Sequence, residues 1–185
     1  MAGAPVRRAR RFDPERRNRI LAAALAVIAE QGVSGSTHRA IARAADVPLG
    51  SLTYHFASLD ELLTAAFTVH VDTVAPRFDE RMRAAQDSGA VLDYLVEHLT
   101  GDLLDSARDL VLMVELYVAA ARNPALRAVT QDWMGRSRRS LERHFDPVTA
   151  RELDALVEGL VLHSALSTDP MDADQIRHAL ARFAR

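Results

Sequence analysis

The stretch from Thr37 to Phe56 reads THRAIARAADVPLGSLTYHF, and it decides how the rest of the chain is interpreted. Its first half has the composition of a short helix. Its second half, from Pro48 to about Phe56, is interpreted as a second helix. Only Asp46 and Val47 separate the halves, so the two helices must cross at a steep angle. This spacing predicts a helix-turn-helix.

The second of these helices has an outward face that is poorly suited to a plain solvent surface. Ile41, Ala42, Val47 and Leu52 are expected to hold the two helices together, so the other positions point away. Short side chains let a backbone approach closely, and hydroxyl and imidazole groups donate to phosphate oxygens. The outward residues are Leu49, Gly50, Ser51, Thr53, Tyr54 and His55. For single residues the alternative is structural, such as a Tyr54 ring in the core or a Ser51 cap.

Charge is distributed unevenly along the chain. Residues 1–56 carry nine arginines and four acids, whereas the remainder carries 14 arginines and 21 acids. A basic end joined to an acidic body is typical of a nucleic-acid-binding head. The alternative is an arginine-rich disordered tail beside an ordinary domain.

Composition narrows the class of protein further. The 185 residues are 49% hydrophobic and 26% charged, which is enough for a full core. The absence of cysteine excludes disulfides, thiolate metal sites and a cysteine nucleophile. No run reaches the ~18 apolar residues of a membrane span, so we expect a cytoplasmic protein without membrane contact.

Capping signals divide the chain into helices, and no strand alternation appears, so an all-α fold is predicted. Three pairs place a capping side chain before a proline at the first helical position; they are Asp13-Pro14, Asn123-Pro124 and Asp146-Pro147. Two capping boxes are expected at Ser58-x-x-Glu61 and Thr149-x-x-Glu152. The predicted helices cover about 14–31, 37–45, 48–56, 58–85, 88–100, 102–122, 124–145, 148–167 and 172–184. The first should end at Gly32, the sixth can be split near Ser106, and Pro76 should kink or break the fourth.

The pattern T37-x3-I41-A42-x3-D46-V47-P48-x-G50-x-L52-x-Y54-x-F56-x-S58-x2-E61-L62-L63 resembles the DNA-binding segment of TetR/AcrR-type transcriptional regulators. The resemblance extends back to about residue 14 and covers some 55 residues. It implies a three-helix DNA-binding head, here residues 1–57, followed by a helical ligand-binding and dimerisation body, here residues 58–185.

The resemblance also implies roles for single residues. Leu49, Gly50 and Thr53 would lie toward base edges. The backbone phosphates would be met by Ser51, Tyr54, His55, Thr37 and Arg39. Two positions depart from the family pattern, since Asp46 replaces the usual glycine and Leu59 the usual lysine. Asp tolerates the left-handed region, so the turn should be kept. The arginines between residues 7 and 19 can offset a lost phosphate contact.

The body contains an apolar run, LVLMVELYVAAA from Leu110 to Ala121, that Glu115 interrupts. A buried carboxylate needs a partner, which is either an arginine of the body or a ligand; the lack of a basic residue in the run favours the ligand. Other residues combine apolar area with sparse polar tips, as ligand cavities do. The candidate ligand-binding residues are Phe67, His70, Tyr94, His98, Met113, Glu115, Tyr117 and Trp133.

The helices at about 123–145 and 147–166 are the candidate dimer interface. The second offers apolar residues at helical spacing, with Gly159 and Ala165 allowing close approach to a second copy. They are Leu153, Leu156, Val157, Leu160 and Val161, with Ser164 beside them. The alternative is that these residues form only the internal core.

No motif of an enzyme, metal site or bound cofactor is present, so catalytic residues, metal and cofactor are all predicted as none. The expected function is a homodimeric repressor that binds an inverted-repeat operator in double-stranded DNA and is released by a small-molecule inducer. The alternatives are an architectural DNA-binding protein without a ligand and, less favoured, a helical enzyme.

Overall fold

A computed structural model describes residues 14–101 and 107–183, and in this part of the chain every regular element is helical. This confirms the all-α fold. Within these two ranges the α-helices are α1 (Arg16–Gly35), α2 (His38–Ala44), α3 (Leu49–His55), α4 (Leu59–Ala84), α5 (Ser88–Thr100), α6 (Ala107–Ala120), α7 (Pro124–Leu141), α8 (Pro147–Leu166) and α9 (Ala173–Leu180), with a 3-10 turn at Ala181–Phe183. The Asp13 cap and the split near Ser106 lie outside the described residues.

The first three helices form where the sequence predicts them. Gly32 adopts φ +71°, and this residue interrupts the helical backbone of α1 one turn before its end. The Thr37 hydroxyl accepts a hydrogen bond from the Ala40 N–H and caps α2. Asp46 has φ 51°, so the aspartate keeps the left-handed turn that was expected at this position.

The long helix α4 begins as predicted but is not broken. The Ser58 hydroxyl accepts from the Glu61 N–H, while the Glu61 carboxylate accepts from the Ala57 N–H instead of from that of Ser58. The helix then continues through Pro76 to Ala84, so of the expected kink or break the break is wrong. Packing of α4 against α1 and α7 stabilises the helix, which offsets the missing proline N–H.

Side-chain caps also start the helices of the body. Asp87, Asn123 and Asp146 accept from backbone N–H groups at the starts of α5, α7 and α8. The box predicted at Thr149 is wrong, because Asp146 starts the helix there and the Thr149 hydroxyl donates to its carboxylate. A reciprocal capping box instead joins Asp172 and Gln175 at the start of α9.

Two hydrophobic clusters make up the described core. The first joins α1, α2, α3 and α4 with α6 and α7, and the second joins α5, α8 and α9 with Met82 of α4, Met113 of α6 and Leu141 of α7. Tyr117 of α6 and Trp133 of α7 pack against both clusters, with ring centroids 6.3 Å apart. The two clusters are therefore in contact through these rings. The division of the chain at residue 57 stays a prediction.

The apolar residues of α8 that were expected to meet a second copy mostly lie inside this chain. Leu153, Leu160 and Val161 are buried in the second cluster, and Leu156 and Val157 pack against it. Leu153, Leu160 and Val161 therefore belong to the internal core, whereas contact of the half-buried Leu156 and Val157 with a second copy stays a prediction. The physical reason is that α8 covers the core of the body, so the apolar residues on its inner face are buried there.

Among the described residues, no helix combines the length and the apolar character needed to cross a bilayer.

Candidate functional sites

The first site is the exposed side of α3, which the helix-turn-helix holds in place. Ile41 and Leu52 are fully buried between α2 and α3, and Phe56 lies almost fully buried at the end of α3. The guanidinium of Arg17 in α1 lies 5.3 Å from the centroid of the Phe56 ring. These contacts fix the rotation of α3 about its axis and so determine which side chains face outward.

The predicted outward residues of α3 are all accessible. Leu49, Gly50, Thr53 and Tyr54 are exposed, and Ser51 and His55 are half-buried. The Tyr54 side chain is 79% exposed, which rules out the alternative of a core ring. The Thr53 hydroxyl donates to the Gly50 carbonyl at 3.2 Å. Its oxygen lone pairs remain available to an incoming donor.

Two further predicted residues lie at the start of α2. The Thr37 oxygen accepts the capping hydrogen bond, which leaves its hydroxyl proton available, and Arg39 is exposed. Leu59, at the family's usual lysine position, packs against the first cluster. The arginines at positions 7 to 11 lie outside the described residues.

The second site is a cavity of about 270 Å³ in the body, between α4, α5, α6, α7 and α8. Its lining is largely apolar and aromatic, with acidic groups and two imidazoles. The residues lining it are His70, Val74, Ala75, Arg77, Phe78, Tyr94, His98, Asp109, Leu110, Met113, Trp133, Ser137, Leu141, Asp154, Val157, Glu158 and Val161.

Two histidines and their ring neighbours form one side of the cavity. Burial lowers the pKa of His70, against an opposing effect of Asp109, whose carboxylate lies 4.0 Å from Nδ1. The Trp133 ring stands edge-on to His70 at 6.0 Å, and Tyr94 stacks on His98 at 5.4 Å. This side can hydrogen-bond a ligand while presenting aromatic faces to it.

The opposite side holds two acids of α8. Asp154 is buried and accepts a hydrogen bond from the Arg138 Nε at 2.9 Å, so its charge is countered within the protein. Glu158 accepts from the Tyr117 hydroxyl. Burial raises the pKa of the Glu158 carboxyl, while the Tyr117 hydrogen bond acts in the opposite direction. Burial and this same carboxylate raise the pKa of Tyr117.

Of the eight predicted ligand residues, the structure places five in the cavity lining: His70, Tyr94, His98, Met113 and Trp133. Phe67, Glu115 and Tyr117 are not among the lining residues. Phe67 is fully buried in the first cluster. Tyr117 reaches the cavity only through its hydrogen bond to Glu158.

Glu115 points toward the head and not into the cavity. Its carboxylate accepts a hydrogen bond from the Val33 N–H at 2.7 Å, beside the break in α1. Its partner is thus neither of the two expected from the sequence, an arginine or a ligand, but a backbone donor of another helix. Sequence alone does not reveal this partner, because it depends on the left-handed conformation of Gly32.

Glu158 and Asp154 are cavity residues that the sequence prediction missed. They are four residues apart on the inner face of α8, within an otherwise apolar pattern. The signal that draws attention to Glu115, an acid on a buried helical face, applies equally to them. Because α8 was interpreted as a dimer helix, its acids were not considered as cavity residues.

Comparison with known proteins now bears on both sites. Residues 20–66 match the family model described as bacterial regulatory proteins, tetR family, and residues 86–185 match that of the tetracyclin repressor-like C-terminal domain. The chain belongs to the TetR family. This confirms the resemblance inferred from the helix-turn-helix and, with it, a DNA-binding transcriptional regulator.

Individual TetR-family relatives are similar over most of the chain. A transcriptional regulator of Streptomyces coelicolor A3(2), SCO7518, is 50% identical, with a TM-score of 0.85 over 92% of this chain and 98% of its own. The multidrug binding protein EbrR, solved with imidazole, is 39% identical, with a TM-score of 0.76 over 92% of this chain and 96% of its own. The regulator PksA of Bacillus subtilis (strain 168) is 27% identical across 90% of this chain and 86% of PksA.

Proposed function

We propose that this TetR-family regulator is a homodimeric repressor that binds an inverted-repeat operator through α3 and leaves it when a small molecule occupies the body cavity. The observation that carries this proposal is the pairing of an exposed, hydroxyl-bearing α3 with an internal cavity that α4 connects to it. Neither an architectural DNA-binding protein nor an enzyme accounts for both features, and we propose no catalytic role.

The exposed face of α3 supports DNA binding. A Cβ added at Gly50 would meet no atom within 4 Å, so nothing inside this chain requires a glycine there. A glycine at the centre of an exposed face lets a groove approach the helix backbone closely. We propose that Leu49, Gly50 and Thr53 lie toward base edges, while Ser51, Tyr54, His55, Thr37 and Arg39 contact phosphates.

The outer face of α8 supports a dimer through Gly159, which the sequence also indicated, and through apolar residues other than the buried ones predicted from the sequence. Val148, Ala155, Gly159, Leu162 and Leu166 follow one another at intervals of seven, four, three and four residues, which places them on one helical stripe. Val148 and Leu166 are 68% and 73% exposed. A Cβ at Gly159 would meet no atom within 4 Å, so a second copy could approach closely there.

Helix α4 and helix α6 connect the cavity to the head. Helix α4 begins beside the end of α3 and carries His70 and Phe78 to the cavity. Helix α6 carries Met113 to the cavity and Glu115 to α1. A ligand that fits one arrangement of these helices better than another shifts the separation of the two α3 copies. The multidrug binding protein EbrR was solved in complex with imidazole, and the similarity supports a small-molecule ligand for this chain as well.

The decisive experiment is selection of an operator from random duplex DNA, followed by a screen of small molecules for release. We expect an inverted repeat whose half-sites lie ~34–36 Å apart or at a related spacing. A selected site without two-fold symmetry contradicts the dimeric repressor. Symmetric binding that no compound relieves favours an architectural protein, and turnover of any compound favours an enzyme.

A further inference from the structure

The helix proposed to enter the DNA groove carries no permanent positive charge of its own. The sequence contains neither lysine nor arginine from position 44 to position 76, a segment that includes the turn, α3 and the start of α4. Contacts of lysine and arginine with phosphates supply most of the sequence-independent affinity of proteins for DNA. The cations that meet the DNA backbone beside α3 must therefore come from neighbouring helices.

The structure places Arg17 of α1 at the C-terminal end of α3. Its guanidinium carbon lies 5.3 Å from the centroid of the Phe56 ring, and Phe56 directly follows α3. The ring centroid of Phe56 lies 6.4 Å from that of His55, which lies 5.1 Å from that of Tyr54. The Arg17 guanidinium is thus held at the end of α3 that carries Tyr54 and His55, two residues proposed to contact phosphates.

The Phe56 ring is a fixed support for this cation. Phe56 is 2% exposed and belongs to the first hydrophobic cluster, so its ring is held by the core of the head. The face of an aromatic ring attracts a guanidinium, whose N–H groups remain available to oxygen acceptors. A side chain that is already restrained in this way loses less conformational freedom when it binds a further partner.

The charge of Arg17 is not already countered by a described carboxylate. Arg17 is exposed, and none of the ion pairs within residues 14–101 and 107–183 includes it. In the body, by contrast, Arg136, Arg138 and Arg143 each pair with an aspartate. An exposed guanidinium on a fixed support is well suited to a phosphate, whose oxygens can accept two parallel N–H hydrogen bonds.

We propose that Arg17 binds a backbone phosphate of the DNA beside the C-terminal end of α3, and that Phe56 positions its guanidinium for this contact. A phosphate carries no base identity, so the contact fixes the position of α3 on the duplex and adds affinity for every sequence alike. This inference rests on the proposed placement of α3 in the DNA groove. It adds to that interface a residue of α1, outside the helix-turn-helix.

The test measures the salt dependence of binding to duplex DNA, which reports phosphate contacts without knowledge of the operator. The full chain is titrated onto a fluorescent duplex of mixed sequence, long enough for both heads of a dimer, at KCl concentrations from about 50 to 200 mM. The variants are Arg17→Gln and Arg17→Lys. The matched control is Arg81→Gln, because Arg81 also lies over an aromatic ring, 5.6 Å from the centroid of Tyr94, but toward the end of α4 remote from α3. Thermal melts check that each variant is folded.

Arg17→Gln should make the slope of log K against log salt shallower by about 0.9 for each copy on the DNA, hence by about 1.8 for a dimer with both heads bound. Arg17→Lys should keep the wild-type slope, since an ammonium group also displaces a counterion, and Arg81→Gln should bind as the wild type does. A wild-type slope for Arg17→Gln would overturn the proposal. An equal loss in Arg17→Gln and Arg17→Lys would overturn it as well, because Arg17 would then act by supporting Phe56 and not through its charge.

Selection of an operator, carried out in parallel, separates this inference from the proposed function. A shallower slope for Arg17→Gln, on the mixed duplex and on a selected inverted repeat, supports both. The same loss of slope in a protein that selects no symmetric site supports the Arg17 contact and contradicts the dimeric repressor. A selected inverted repeat that Arg17→Gln binds with the wild-type slope contradicts the Arg17 contact and leaves the repressor standing. A wild type that binds no duplex DNA contradicts both.

Discussion

The carboxylate of Glu115 accepts a hydrogen bond from the backbone N–H of Val33 at 2.7 Å, joining α6 to α1 across 82 residues of sequence. The contact is possible because Gly32 takes φ +71° and turns the following N–H toward α6. Helix α6 also carries Met113 into the cavity, two residues before Glu115. One rigid helix therefore contacts both the cavity and the head.

Removing the Glu115 carboxylate should destabilise the protein in the absence of any ligand. Glu115→Ala leaves the part-buried Val33 N–H without an acceptor, which costs about 1–3 kcal/mol. At about 2–4 °C per kcal/mol, a chain of this size should melt several degrees lower. Glu115→Gln keeps an acceptor oxygen and should lose less. The control is Glu80→Ala, at an exposed position of α4. Equal melting temperatures for Glu115→Ala and Glu80→Ala would show that the contact contributes nothing.

A side chain at position 32 should disturb the same contact from the other side. A Cβ at Gly32 would lie 3.0 Å from the Glu115 Oε1, and the left-handed backbone costs a non-glycine residue about 1–2 kcal/mol. We expect Gly32→Ala to lower the melting temperature, whereas Gly50→Ala, in open space, should not. In the background of Glu115→Ala, part of the Gly32→Ala effect should disappear, because the crowded oxygen is gone. Fully additive losses argue against the crowding.

The head could be predicted closely from the sequence, and the body only in outline. In the head, capping signals act locally, so the Ser58 cap and the helix start near Thr37 follow from their neighbours in the chain, while the left-handed turn at Asp46 was implied by the family resemblance. The cavity depends on which faces of five helices meet, and helical periodicity does not specify those partners. For this reason the sequence places Glu115 in the wrong surroundings and does not reveal Glu158.

Two substitutions in α3 should weaken operator binding in different ways. Tyr54→Phe removes an exposed hydroxyl proposed to donate to a phosphate, so binding should weaken for all sequences alike. Thr53→Ala removes a group proposed to lie near base edges, so preference should relax at one operator position by roughly 1–3 kcal/mol. Both residues are exposed, so the fold should be unaffected. Binding to a panel of single-base operator variants measures the difference. Identical, sequence-independent losses would contradict the assignment.

The dimer proposal makes a prediction at Gly159. Because a Cβ there meets no atom of this chain, Gly159→Arg should leave the monomer folded while it blocks approach of a second α8. Light scattering after size-exclusion chromatography should give a monomer mass for Gly159→Arg. Ala84→Arg, at the exposed end of α4, should stay dimeric. A dimer mass for both variants would mean that copies meet through another surface.

Glu158→Gln should make the ligand-free protein more stable at neutral pH, opposite to the effect of Glu115→Ala. Burial raises the folded-state pKa of Glu158 above its ordinary value of 4.5, so folding favours the protonated carboxyl. Above the folded-state pKa the carboxylate is charged in both states, and the wild type carries the full penalty of burying it. As the pH falls through the folded-state pKa toward 4.5, the folded protein takes up the proton first and the penalty disappears.

The substituted amide carries no charge at any pH and still accepts from Tyr117. Melting curves at pH 7.5 and at about pH 4.5 should therefore show an advantage for Glu158→Gln that shrinks with acidity. A variant that melts below wild type at pH 7.5 would mean that the attraction of Arg138 and the Tyr117 hydrogen bond together outweigh the cost of burying the Glu158 carboxylate.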